Sequence, residues 1–337
     1  MYTRVFASAV SLALAATGAE AQDRTFELKL SHFLPSSHPL HKAMEDWGGS
    51  IEKASNGTIK YKIYPAQQLG KAFDQYDMAR DRIADVSLVV PSYQPGRFPI
   101  IAAGELPFII SGAKGGSQAL DTWYRKYAGN EMRDVKFCLA FVHYPGAFHA
   151  NRKIMVPDDV RGVKVRPANA TVASFVTQLG GTNVQASAPE VRDILEKGVA
   201  EAVTFPPGTA VFFGIDRILK YHMDAPLYTT AFAFAINKAT YEAMSAAQKQ
   251  VIDEHCTSDW AGRVAGPFDE FERAGDAKLR TEQSGIYELT SDQLALWKKA
   301  AEPLEKSWAE TARKVGVDPG TAMNDLKEQL VRRNAGY

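Results

Sequence analysis

The chain has 337 residues, 45% of them hydrophobic, with 39 basic side chains against 39 acidic ones. That is apolar matter enough for substantial cores and more length than one average domain needs, so two lobes are the default. A balanced charge without a basic cluster argues against nucleic acid or an anionic lipid surface as partner.

The N-terminus carries Arg4, an apolar run over residues 5–16, and Ala19-Glu20-Ala21 before Gln22. A basic start, a short apolar stretch and a small-x-small end read as a secretory signal peptide over residues 1–21, which predicts a periplasmic location. The run is too short for a membrane span of ~20 residues, and no later stretch is apolar enough, so a chain that is not membrane-embedded is expected. Two cysteines, Cys138 and Cys256, do not make a disulfide framework; two buried free thiols are the favoured reading.

Residues 25–31 alternate, with Phe26, Leu28 and Leu30 inward, which predicts a strand. Residues 32–39 read as a loop from their Pro and Ser content. Met44, Trp47 and Ile51 at helical spacing predict an amphipathic helix over 40–55. A strand over 59–64 and a helix over 72–81 follow. Residues 86–90 then form an apolar strand ending at Pro91-Ser92-Tyr93, a pattern suited to a buried parallel sheet. Residues 163–165 read as a strand that delivers Arg166 beside Pro167. After it come a helix-like run, Gly180-Gly181, a short strand, a second helix, and a strand over 202–205 stopped by Pro206-Pro207. Alternating strands and helices predict α/β layers. Beyond residue 241 the chain reads as mostly helical, with charged helices over 261–283 and 291–315. Gly266-Pro267 is expected to end or kink the first of them. Ligands of open parallel sheets sit beyond the strand carboxyl ends. That rule gathers residues 32–38, 91–93, 144–149, 166–169 and 205–208 around one cleft.

Several short motifs occur in a fixed order. Gly162, Lys164, Arg166 and Pro167 are followed by Leu179-Gly180-Gly181 and an acidic helix from Pro189-Glu190-Val191. Tyr64-Pro65-Ala66-Gln67-Gln68-Leu69-Gly70 and Leu106-Pro107-Phe108 precede them, and Ile236-Asn237-Lys238 comes after. Together they resemble the solute receptors of TRAP (tripartite ATP-independent periplasmic) transporters, the DctP-type family. The resemblance implies a two-lobe periplasmic-binding-protein-like α/β fold with a cleft between the lobes and long C-terminal helices bridging them. Lobe I is expected over 22–147 plus about 235–275, and lobe II over about 148–234 plus 276–337. It further implies a receptor that hands a small organic acid to the membrane subunits of a TRAP transporter, and no catalysis. A monomer is expected.

The resemblance places the substrate carboxylate on Arg166, whose planar fork of donors stays charged near neutral pH. Phe205 stands where sialic-acid and many dicarboxylate receptors carry a polar residue, often asparagine. A second arginine of the sialic-acid receptors aligns with Gly146, with Phe148 and His149 nearby. A pocket with fewer donors and more rings disfavours sugar acids, whose hydroxyls would be left without partners. It favours a compact aromatic monocarboxylate, benzoate- or arylglyoxylate-like; branched or short aliphatic acids and pyroglutamate-like compounds remain alternatives. Tyr93, His38, His32, Phe73 and Asn169 complete the candidate ligand contacts. Phe205 has a second reading as core, Tyr93 as a turn residue, the histidines as satisfied loop residues, and Asn169 as a helix cap. Phe212, Phe213, Phe232 and Phe234 read as core. The acidic residues and histidines are scattered, so neither a metal nor a cofactor is expected. Two other functions share these features: a ligand-sensing module of a receptor kinase, and a secreted enzyme with His32, His38 or His149 as general base.

Overall fold

The computed structural model describes residues 24–282 and 285–337; the expected signal peptide lies outside them. In chain order the strands are β1 (Phe26–Ser31), β2 (Ile59–Tyr64), β3 (Val86–Val89), β4 (Val135–Val142), β5 (Ala147–Ala150), β6 (Lys164–Arg166), β7 (Thr182–Asn183), β8 (Ala202–Phe205), β9 (Tyr221–Asp224), β10 (Ala231–Asn237) and β11 (Ile286–Glu288). They form two sheets, ordered β2-β1-β3-β10-β4 and β11-β9-β5-β8-β6-β7. In the first, β1 runs parallel to β2 and β3, and β10 is antiparallel to β3 and β4. In the second, β6 runs parallel to β7 and β8, and β5 is antiparallel to β8 and β9. The chain is therefore a two-lobe α/β protein. It enters the second sheet at Ala147 and returns at Ala231, a few residues ahead of the return expected near 235.

Strand β10 shows how side-chain alternation joins the layers. Its residues alternate alanine with larger side chains, and all are buried. Phe232 and Phe234 meet Phe141 on one face, stacked at 5.1 Å and edge-on at 5.7 Å. Ala231, Ala233 and Ala235 sit in the other core cluster with Leu120 and Trp123 of the helix Ala113–Glu131. A period of two delivers both faces from one strand.

The helix Ser258–Glu282 links the lobes. It continues through Pro267, so the helix does not end there, and residue 275, the expected lobe boundary, falls inside it. Val264, Ala265 and Phe268 flank the proline and are buried. At roughly 1.5–3 kcal/mol for each large apolar side chain, that stripe outweighs the ~3 kcal/mol cost of an interior proline. Near its C-terminal end Arg280 pairs with Asp224 of β9. Between the two, Gly275 lies so close to Gly208 that a Cβ on Gly275 would stand 2.1 Å from the Gly208 Cα. That approach lets the buried Glu272 carboxyl accept the Thr209 N–H at 2.9 Å and bond the Thr209 hydroxyl. The long helices Ser291–Lys314 and Pro319–Val331 then recross the molecule. Gln178 of the second lobe donates to Ala300 O, Trp308 donates to Pro99 O at 3.1 Å, and Trp123 donates to Ala322 O. Among the described residues, no helix is long and apolar enough to cross a membrane.

The two cysteines are not free thiols. Cys138 on β4 and Cys256, just ahead of the helix Ser258–Glu282, form a buried disulfide with a Cα separation of 4.5 Å. They lie 118 residues apart in the chain, and only the packing of β4 against that junction brings them together. A crosslink closing so long a loop removes much disorder from the unfolded chain. Reduction, or the pair Cys138→Ser and Cys256→Ser, is expected to lower the unfolding free energy by about 2–5 kcal/mol in urea titrations; an unchanged midpoint would show that the bridge adds nothing. Burial pushes the Glu272 carboxyl up to about 8. An acid raised in this way holds its proton more tightly when folded, so it costs stability as pH climbs from about 4.5 towards 8. The buried histidines, drawn below 6.5, act in the opposite sense only at lower pH. Between about pH 6.5 and 8, wild type should lose up to about 1.4 kcal/mol per pH unit relative to Glu272→Gln. Parallel stability curves for the two proteins would mean that Glu272 keeps one protonation state throughout.

Candidate functional site

Strands β6 and β8 run side by side in parallel, with Arg166 opposite Val203. Their carboxyl ends present Arg166 and, two residues beyond Val203, Phe205. Arg166 is only 1% exposed. Its Nε donates to Ala186 O at 2.9 Å and its Nη2 to the Tyr93 hydroxyl at 3.2 Å. The guanidinium carbon lies 4.9 Å from the centre of the Phe205 ring, within cation–π range. Nη1 is buried and has no partner, and among the described residues no carboxylate pairs with this arginine. A buried cation without a counter-charge is costly, so the site is built for an anion.

Tyr93 follows β3 and reaches across from the first lobe. Its hydroxyl oxygen accepts from Arg166 Nη2 and from Ala188 N–H, each at 3.2 Å. With two donors on the oxygen, its own hydrogen remains to be donated. The Tyr93 ring packs between Phe33 at 5.9 Å and Phe73 at 4.8 Å. Beyond the arginine the pocket is walled by rings: Phe205 stacked on Phe213 at 5.8 Å, with Phe232 and Phe268. His38 also lines it, edge-on to Phe212 and Phe268 at 5.2 Å each. Burial is the first cause holding His38 down to about 3 and His143 down to about 4, so neither adds charge near neutral pH. One fixed cation beside a phenolic donor, in front of neutral aromatic walls, can hold a carboxylate and an apolar body.

The structure thus brings together Arg166, Phe205, Tyr93 and His38. Phe73 and Asn169 stand with Tyr93 at an adjoining opening. Asn169 accepts the Val172 N–H at 2.8 Å, capping the helix Ala170–Gln178, and donates to Thr229 O and the Thr230 hydroxyl. Three expected contacts do not line the pocket. Phe148 packs on Trp297 at 5.6 Å in the core. His149 joins His222 at 2.9 Å and the Phe205 carbonyl at 3.0 Å. His32 is buried against His41 at 2.8 Å. For Phe148 the reason is register: it stands opposite Thr204, one residue from the Ala147–Phe205 pair, so its side chain leaves on the other face of the sheet. His149 shares the face of Ala147 and Phe205 but lies two residues further along β5, where His222 and the Phe205 carbonyl hold its ring. A Cβ at Gly146 would come within 2.7 Å of the Tyr228 ring, so this pocket has no place for an arginine there.

Sequence reasoning missed other parts of the wall. Phe213 and Phe232, read as core, face the pocket, and Phe268 comes from the lobe-linking helix. The alternation of alanine and phenylalanine along β10 places Phe232 on one face, but nothing local in the sequence says what that face meets. Among the described residues, no group of three or more His, Cys, Asp or Glu side chains could hold a metal ion.

Residues 30–311 match the family described as bacterial extracellular solute-binding protein, family 7. The C4-dicarboxylate-binding periplasmic protein DctP of Rhodobacter capsulatus is 23% identical over 318 residues, 91% of this chain and 92% of that one. A TRAP solute-binding protein from Rhodoferax ferrireducens T118, solved with copurified benzoate, superposes with a TM-score of 0.86 at 26% identity, covering 92% of this chain and 99% of that one. A marine metagenome TRAP solute-binding protein specific for aromatic acid ligands, solved with 3-hydroxybenzoate, gives 0.85 at 33% identity with the same coverage. These relatives are receptors, not enzymes, and their ligands range from C4-dicarboxylates to benzoate, so kinship alone leaves the ligand open. The chain belongs to family 7 of the bacterial extracellular solute-binding proteins, the DctP-type receptors of TRAP transporters.

Proposed function

We propose that this receptor captures a small aromatic monocarboxylate, benzoate- or arylglyoxylate-like, between its lobes in the periplasm and delivers it to the membrane subunits of a TRAP transporter. The observation that carries the reading is the buried, partnerless Nη1 of Arg166 beside the stacked Phe205 and Phe213. The carboxylate takes charge-assisted hydrogen bonds from the guanidinium and the Tyr93 hydroxyl. The ligand ring lies against phenyl walls, where burying a side chain of that size contributes roughly 1.5–3 kcal/mol. Two related structures holding benzoate and 3-hydroxybenzoate support the same class. Tyr93 comes from one lobe and Arg166 from the other, so an anion held by both favours the closed arrangement and shifts the population towards it. Residues 1–21 direct export and are removed, and the receptor works as a monomer.

Calorimetric titration of Arg166→Ala with benzoate tests the anchor. Affinity should fall by about 2–5 kcal/mol, ~30-fold to a few thousand-fold; binding as tight as wild type would remove the arginine from the site. Arg166→Lys keeps the charge and loses the fork, so it should recover only part of that loss. A thermal-shift screen of organic acids tests the class. Benzoates present at ~100 times their dissociation constant should add about 2.7 kcal/mol of stability, while glucuronate and sialate should add none. The reverse ranking would overturn the aromatic reading.

A further inference from the structure

His38 brings to this pocket a donor that the protein does not use. The Leu40 N–H donates to His38 Nδ1 at 3.2 Å, capping the helix Pro39–Ala54. Nδ1 is thereby an acceptor, and a neutral imidazole must carry its single proton on Nε2. Burial, then the neighbouring His32, keeps the ring from charging until about pH 3, so this tautomer holds wherever the protein works. The ring is 2% exposed and stands among Phe212, Phe268 and Phe271. Phenyl faces accept an N–H only weakly, and among the described residues no hydrogen bond joins Nε2 to a protein acceptor. The pocket's other polar groups at this end are committed. His143 Nε2 accepts the Thr230 N–H at 3.1 Å, which leaves its Nδ1 proton to the Tyr144 carbonyl. The Thr209 hydroxyl is taken by Glu272.

The pocket therefore has two kinds of donor. A fixed cation with a phenolic hydroxyl comes from β6 and the turn after β3, and a neutral N–H comes from the loop after β1. We propose that His38 Nε2–H selects for a hydrogen-bond acceptor on the body of the ligand, so that the preferred class is an aromatic monocarboxylate bearing a phenol, ether or carbonyl oxygen away from its acid group. The inference rests on the aromatic-acid reading above and narrows it. A bare ring leaves the donor buried and unsatisfied, which costs free energy, while a ring oxygen restores the bond. An ammonium substituent, having only donors, meets the wrong end of the dipole.

The test compares ligands of matched shape on the wild-type protein by calorimetry: 3- and 4-methoxybenzoate against 3- and 4-ethylbenzoate, with benzoate as reference. For the better-fitting position the methoxy compound should bind about tenfold more tightly than its ethyl counterpart, about 1.4 kcal/mol. His38→Phe should erase that preference. Equal affinities for methoxy and ethyl compounds at both positions on wild type, with benzoate binding, would overturn the inference and leave the aromatic-acid reading standing. So would a His38→Phe protein that weakens all five ligands alike, because the histidine would then act on the carboxylate. Failure of every benzoate to bind would overturn both readings. The wild-type comparison does not depend on the variant folding.

Discussion

A guanidinium shut away from water, with no acid beside it among the described residues, organises this molecule. Arg166 is held by the Ala186 carbonyl, the Tyr93 hydroxyl and the face of Phe205, none of which neutralises it. A protein could quiet such a charge with one carboxylate, and a buried ion pair would then form at the strand end. Here the counter-charge is left to the visitor. The groups that complete the arginine come from both lobes, Ala186 from one and Tyr93 from the other.

The surroundings keep that interaction selective. Burial holds the nearby histidines neutral, so among the described residues that line the pocket Arg166 is the one cation. Aromatic walls reward flat apolar bodies and penalise hydroxyl-rich ones. The same features explain why the geometry supports capture and not turnover. The nitrogens of His143 and His149 are spent on backbone groups or another histidine, so neither ring is left as a base in the pocket.

Much of this was legible in the sequence where the causes are local. The alternation of β1, the helix around Met44, Trp47 and Ile51, and the strand that ends on Arg166 follow from side-chain period and turn residues. The motif order pointed to the family, and the loops beyond the parallel strands pointed to the cleft. What stayed hidden depends on contacts between distant segments. The Cys138–Cys256 bridge spans 118 residues, the uninterrupted helix through Pro267 is paid for by packing on the first lobe, and Phe268 reaches the pocket only because that helix lies where it does. Phe148 lies off the pocket because the register of β5 against β8 puts it on the other face, while His149 is turned to His222 and the Phe205 carbonyl. A linear reading can name the neighbourhood of a side chain at a strand end, but not its face.

The covalent link also says what kind of motion the lobes are allowed. Cys138 sits on the strand that leads into the first crossover, and Cys256 lies at the root of the helix that forms a later one. Both connectors are thus riveted at one point inside the first lobe, and neither can slip lengthwise past the other. The two connectors cannot slide past each other at that point, so any relative motion of the lobes has to come from bending of the chain beyond it.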